Sequence, residues 1–516
     1  MASRLTVRTA EGSVRGAREG AVLRWRSIPY AAPPVGELRW RAPAPVQPWR
    51  GVRDATTYGF ASWQPRWGAG LAPGNFQPVS EDCLTLNVVA PAEPSERPRP
   101  TVVFIHGGGY IIGTSALEMY GGVRLVERGD IVYVSMNYRL GPLGYLDLST
   151  FSTANRPIES NLGMRDQVAA LEWVQRNVAA FDGDPDNVTI FGESAGGNAV
   201  TSLMVTPAAR GLFHQAIAQS SPAHWAHDKN DSERWARSYI ELLGANPETA
   251  VRALERATPK ELGRAMLGLY RTVGKEVPGH FPLEPAIDGD FFPDWPIESF
   301  RSGRAHRVPL IIGANRRESG LFAWIPDALP TTPARIEAMF RASDPSVRDR
   351  VLAAYPDYPD KPAARAIGSD VTFWHPSIEV AEAHSKHAPA YMYRYDFAPP
   401  LMKRIGLGAT HAMDLLAVFG MGETAVGRAT TAFGGRRSMR QVTEAMQSNW
   451  LAFASTGRPL PGWPRYTESE RATMIFDSPT HIEFDPHSER RKAWAGYESY
   501  HRRGDGNPGE PAMRAQ

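Results

Sequence analysis

Short apolar stretches broken by Gly and Pro occupy 3–60 and predict short strands and turns, and Gly/Pro density through 61–80 predicts a surface loop. From residue 84 the apolar runs lengthen. The runs 84–90 and 101–105 predict strands, the second halted by His106-Gly107-Gly108-Gly109, and 130–136 predicts a third, followed by a turn over 137–141. Over 167–178 the period changes: Val168, Leu171, Val174 and Val178 recur on one helical face. A short strand is expected at 187–191, with helix resuming at 196. Such alternation through 101–200 predicts an α/β fold, a large mostly parallel sheet with helices on both faces. Polar, irregular helical sequence at 231–300 reads as a cap insertion, and 332–384 as a second. Between them 309–314 predicts a buried strand, with Pro309 at its tolerated first position. A late strand is expected at 391–395. We read 1–500 as one domain carrying these insertions and 501–516, rich in Gly, Pro and charge, as a disordered tail.

Charge narrows the partners. The 57 Lys+Arg against 55 Asp+Glu leave a net of +2, no field for nucleic acid or anionic lipid. No run of about 18 apolar residues is present, so no membrane span is expected. The start lacks the apolar segment of a secretory signal, and the one cysteine, Cys83, permits no intramolecular disulfide. A cytoplasmic monomer is the expectation.

The chemistry concentrates in Gly192-Glu193-Ser194-Ala195-Gly196, a Gly-x-Ser-x-Gly placed between predicted strand and helix. A serine on so sharp a turn projects its Oγ above the sheet, and the flanking glycines leave room for neighbouring backbone. The helix N-terminus behind it favours developing negative charge. An earlier strand ends at the Gly-rich loop, from which Gly108 and Gly109 would offer N–H groups to an oxyanion alongside Ala195. A serine nucleophile also needs a histidine base and a carboxylate, in this fold in the chain order Ser, Asp/Glu, His. Composition does not choose among 13 histidines, and chain order alone leaves Asp288 as a rival acid.

The stretch Phe191-Gly192-Glu193-Ser194-Ala195-Gly196-Gly197 resembles the nucleophile signature of the type-B carboxylesterases, the α/β-hydrolase family that includes bacterial para-nitrobenzyl esterases and the cholinesterases. Glu81-Asp82-Cys83-Leu84-Thr85-Leu86-Asn87-Val88 resembles their second signature, and Ile28-Pro29-Tyr30-Ala31, Asn161-Leu162-Gly163 and Phe181-Asp182-Gly183-Asp184-Pro185 also match. The likeness runs from about residue 5 to 497. It implies His411 as general base, in Gly408-Ala409-Thr410-His411, and Glu318 as the acid, in Arg316-Arg317-Glu318-Ser319. There the family pattern reads Asp-Glu-Gly, so this chain reverses a charge before the acid and loses a glycine after it. Glu193 and Ser220 resemble residues that tune the triad. Arg39 with Glu81, and Arg139 with Asp166, resemble ion pairs that hold the N-terminal region. Cys83 resembles a half-cystine of secreted relatives whose partner is absent here.

The resemblance implies ester hydrolysis through an acyl-serine, with no metal or organic cofactor. Trp63, Trp67 and Phe76 are expected to border the site, and Trp225, Leu321 and Phe322 to line a broad apolar or aryl ester pocket. Leu321 stands where cholinesterases carry an aromatic residue, which argues against choline esters. A non-catalytic adhesion module is the alternative from another class; retention of Ser194, Glu318, His411 and the glycines argues against it. A lipase acting on emulsions would need an amphipathic lid helix, and none is evident.

Overall fold

Every residue of Val132–Met136 is buried, as befits a strand covered on both faces, where apolar residues run continuously instead of alternating with polar ones. That pattern recurs across the centre of the computed structural model, which describes residues 4–72, 75–322 and 329–499. Strands β1 (Ala17–Glu19), β2 (Val22–Pro29), β3 (Thr85–Pro91), β4 (Arg99–Ile105), β5 (Val132–Met136), β6 (Gly183–Glu193), β7 (Gln215–Gln219), β8 (Leu310–Asn315), β9 (Ala390–Tyr395), β10 (Ala472–Phe476) and β11 (His481–Phe484) make one 11-stranded sheet. The order is β11-β10-β9-β8-β7-β6-β4-β5-β3-β2-β1. From β5 through β10 all neighbours are parallel, while β11, β3, β2 and β1 pair antiparallel at the two edges. The expected large, mostly parallel sheet is present.

Its two faces feed two cores by strand alternation. Val103, Ile105, Ile190, Ala216, Ala218, Leu310 and Ile312 point into one, with helix α1 (Leu162–Asn177) and the insertion helices. Val102, Phe104, Phe191, Ile217 and Ile311 point into the other, against Arg436–Thr456. Val168, Leu171, Val174 and Val178 are all buried, though α1 starts earlier than its apolar spacing implies, at Leu162, after Asn161 takes a left-handed φ of 54°.

Several expectations need correction. Region 61–80 is not a plain loop: it holds the short paired strands Ala61–Ser62 with Val79–Ser80 and Gly70–Ala72 with Asn75–Phe76. The first insertion is more regular than its polarity implied. It contains Lys229–Leu242 and Pro259–Glu276, and the second of these is clearly amphipathic, burying Leu262, Met266, Leu269 and Val273. The expected tail at 501–516 lies outside the described residues. Among the described residues no helix is long and apolar enough to cross a membrane.

Candidate active site

Strand β6 runs to Glu193, helix α2 (Ala195–Leu203) begins two residues later, and Ser194 makes the turn between them at φ 62°, ψ −125°. That region is sterically costly for a residue with a side chain and persists only where the surroundings enforce it. Here they do. Ser194 N–H donates to the Gln219 carbonyl (2.9 Å) and Asn198 N–H to the Ser194 carbonyl (2.8 Å). A Cβ on Gly192 would sit 2.4 Å from the Gly196 oxygen, and one on Gly196 only 2.1 Å from the Ile105 oxygen, so both glycines are required for the turn to close against β4.

Beside it lies the loop after β4. Gly108 (φ 116°) and Gly109 (φ 61°) adopt conformations that favour glycine, and a Cβ on Gly107 would strike the Glu193 carbonyl at 2.4 Å. The Gly108 carbonyl is occupied by the N–H groups of Ile111 and Ile112, both at 3.1 Å. Among the described residues, the N–H groups of Gly108 and Gly109 donate to no backbone carbonyl, and that of Ala195, first in α2, lies outside the helix's own ladder. His106 holds the loop from beneath, its ring stacked on Tyr138 and its carbonyl accepting from the Tyr138 hydroxyl (2.6 Å). Burial pushes the His106 imidazole down to about 4, so it stays neutral.

Three residues past β8, Glu318 is fully buried, and its carboxylate is shared. Oε2 meets His411 Nδ1 at 2.6 Å, while Oε1 accepts from Ser220 Oγ (2.7 Å) and Asn315 N–H (2.5 Å). On the other side of the ring, His411 Nε2 lies 3.1 Å from Glu193 Oε1 but outside hydrogen-bond geometry, so this nitrogen has no protein hydrogen-bond partner. Phe322 and Phe373 pack on the ring, each with centroids 4.9 Å away. Burial opposes the imidazolium, but Glu193 and Glu318 outweigh it and raise His411 to about 9. Burial raises Glu193 to about 8 against the pull of His411. Groups in such contact take up protons as a pair.

The fold thus gathers Ser194, Glu193, Gly108, Gly109 and Ala195 at the ends of β4 and β6, with Ser220, Glu318 and His411 alongside. The aromatic residues scatter more widely. Phe322 touches His411, but Leu321 is 39% exposed and Trp67 68% exposed. Phe76 lies under the Arg66 guanidinium, Trp63 packs towards Gly263, and Trp225 is buried against Phe281. Asp288, the rival acid, accepts from Ser160, Asn161, Asp290 and Phe292 in a turn of its own.

Sequence reasoning assigned no role to Asp414, which is fully buried three residues after His411. It accepts from Gln219 Nε2 (2.7 Å), Tyr393 OH (2.9 Å) and Asn315 Nδ2 (3.2 Å), and Asn315 also reaches Ser220 Oγ (3.2 Å). Arg39–Glu81 and Arg139–Asp166 both form, the latter with Nη2 to Oδ1 at 2.7 Å and Nε to Oδ2 at 2.8 Å. Cys83 is a free buried thiol 3.2 Å from Ser62 Oγ, pushed by burial up to about 12 and so unreactive.

Comparison with known proteins agrees over nearly the whole chain. The model of the carboxylesterase family matches residues 3–494. The para-nitrobenzyl esterase of Bacillus subtilis is 37% identical over 495 residues, covering 94% of this chain and 97% of that protein. The phenmedipham hydrolase of Pseudarthrobacter oxydans is 32% identical over 92% of this chain and 95% of its own length. Among solved structures, a PNB esterase superposes with a TM-score of 0.86 at 37% identity, over 95% of this chain and 99% of that one. A Geobacillus stearothermophilus carboxylesterase does so with 0.82 at 33%, over 95% and 100%. The chain belongs to the carboxylesterase family and is a serine carboxylesterase of the α/β-hydrolase fold.

Proposed function

We propose that this carboxylesterase works through a Ser194–His411–Glu318 triad. The observation that carries the reading is the arrangement about His411: Nδ1 is held by a buried carboxylate at 2.6 Å, and Nε2 is left unpartnered next to the residue that precedes the serine turn. Glu318 fixes the tautomer, so Nε2 is the basic nitrogen. His411 takes the Ser194 proton as Oγ attacks the ester carbonyl. The oxyanion that forms is met by the N–H groups of Gly108, Gly109 and Ala195, each donor being worth about 2.7–4 kcal/mol of transition-state stabilisation. The imidazolium then protonates the leaving alcohol, and water activated by the same ring releases the acid from the acyl-serine. These proton transfers and fixed dipoles call for no cofactor.

Glu193 acts on the base through its contact with Nε2, and Ser220 holds the second oxygen of Glu318. We assign the acyl or alcohol pocket to the aromatic surroundings of His411, with Phe322 its nearest member and Leu321 at its rim. Trp63, Trp67, Phe76 and Trp225 are proposed to shape the approach from farther out, and broad apolar or aryl esters are the substrate class. The protein is proposed to be a cytoplasmic monomer with no nucleic-acid or membrane partner.

The test is hydrolysis of para-nitrophenyl esters from acetate to decanoate by wild type and Ser194→Ala. Loss of turnover by roughly 10⁴-fold or more in a folded variant is expected. Turnover that survives the substitution would remove Ser194 from the mechanism.

A further inference from the structure

Residues on either side of Glu318, Arg317 and Ser319, border a cleft of about 450 Å³, within the range that holds a small ligand. Its lining is strongly one-signed. Arg316, Arg317, Lys361, Arg365 and Arg490 border it, against a single carboxylate on the wall, Asp357. The chain as a whole carries a net of only +2, so this is a local concentration of charge.

Little inside the protein neutralises it. Among the described residues, Arg317, Lys361 and Arg365 have no carboxylate within ion-pair distance, although all three border one cleft. Arg316 reaches Asp396 at 3.3 Å, but Arg394 already holds both oxygens of that carboxylate at 2.7 Å. Arg490 lies 3.5 Å from Asp370, which also accepts from the Tyr355 hydroxyl, and its guanidinium covers the Tyr355 ring. His487 on the same wall registers the field: burial first, then the cations Arg394, Arg490 and Arg316, press its imidazole down to about 4. It stays neutral and able to hydrogen-bond.

The cations come from three separate segments: the end of β8 with its following turn, helix α3 (Lys361–Ser369) and the helix Ser488–Trp494. These segments are also tied together. Ser319 Oγ donates to the Arg365 carbonyl (2.6 Å), and Ser369 Oγ to Ser319 Oγ (3.0 Å), so the serine and arginine that flank Glu318 serve this cleft.

We propose that the cleft binds a small, multiply charged phosphate anion of the pyrophosphate type. Guanidinium forks pair bidentately with phosphate, and cations converging from several directions match a tetrahedral, multiply charged anion better than a planar carboxylate met edge-on. A cleft, open to solvent but recessed, favours a free anion over a phosphate presented on a flat lipid surface.

The test is calorimetric titration of the full chain with sodium pyrophosphate, against sodium chloride of equal ionic strength, with citrate and phosphatidylglycerol vesicles as parallel arms. Saturable binding of one pyrophosphate per chain is expected, together with a rise in Tm that follows ligand concentration. The Arg317→Gln/Lys361→Gln double variant should bind more weakly by about tenfold or more, while Arg317→Lys/Lys361→Arg retains most of the affinity. Ser194→Ala should bind as wild type does, which keeps this site's fate separate from that of the proposed triad. No saturable binding, undiminished binding in the Gln variant, citrate binding as tightly, or capture by vesicles alone would each overturn the assignment.

Discussion

Glu193 is buried against the proposed base, and that contact has a kinetic signature. His411 must be neutral to take a proton, so kcat/KM climbs as pH rises through the pKa of the free enzyme's imidazole. Facing carboxylates raise that pKa, so Glu193→Gln, which deletes one of them, moves the acidic limb to lower pH. A pH–rate profile on one soluble ester checks the shift. At the opposite ring nitrogen, Glu318→Gln leaves an amide where a carboxylate stood 2.6 Å away, and turnover should fall by roughly 10⁴-fold, as loss of a triad acid does elsewhere. Asp288→Asn, remote from the ring, should leave the turnover of folded protein unchanged; the reverse ranking would move the acid. At this scale the serine turn and the Gly-rich loop were legible because their constraint is local: 192, 196 and 107 admit no Cβ. His411 and Glu318 lie 217 and 124 positions beyond Ser194 (411 − 194 and 318 − 194), so only resemblance to a family pointed to them. Asp414 gave no signal, because its three donors come from β7, β8 and β9 and meet only in the folded sheet.

Helix Pro259–Glu276 of the first insertion shows what an element contributes through its ends. Thr258 accepts from Glu261 N–H while Glu261 reaches back to Thr258 N–H (2.8 Å), a reciprocal cap followed by Pro259 at the first helical position. The buried side brings Met266 Sδ within 3.4 Å of where a Cβ on Gly141 would lie, in the turn after β5. Thr258→Ala should therefore lower stability by about 1 kcal/mol, read as a small drop in Tm, with ester turnover unaffected. An unchanged Tm would mean that packing alone holds the helix start. The amphipathic period of this helix is present in the sequence but is masked by its charged outer face. Strand β7, Gln215–Gln219, escaped for another reason. Gln-Ala-Ile-Ala-Gln has weak intrinsic β character, and it is a strand because β6 and β8 pair with it on both sides. The long helix Arg436–Thr456 was likewise not anticipated; its limits are set by left-handed glycines, Gly435 (φ 88°) and Gly457 (φ 70°).

At the scale of the whole molecule, the first insertion and one face of the sheet share buried residues. One core joins Val14 and Trp25 near the N-terminus, Val103 and Ile190 in the sheet, and Leu262, Leu269 and Phe281 in the first insertion. Charge works across the same boundaries. Arg139, after β5, takes Asp166 of α1 in a doubly hydrogen-bonded pair, Asp166 also accepts from Arg139 N–H (3.0 Å), and Arg139 Nη1 reaches the Arg41 carbonyl (2.8 Å). Both partners are buried, so removing one leaves an uncompensated charge, at a cost of about 3–5 kcal/mol. With the first insertion sharing a core with one face of the sheet and a clamp within the same half, these parts should unfold together, and calorimetry of wild type should give one transition. Asp166→Asn should lower that transition by several degrees and leave it single, because the clamp and the insertion helices draw on the same core. A low-temperature shoulder in the variant, or two transitions in wild type, would mean that the first insertion melts on its own and that residues 1–500 are not one folding unit.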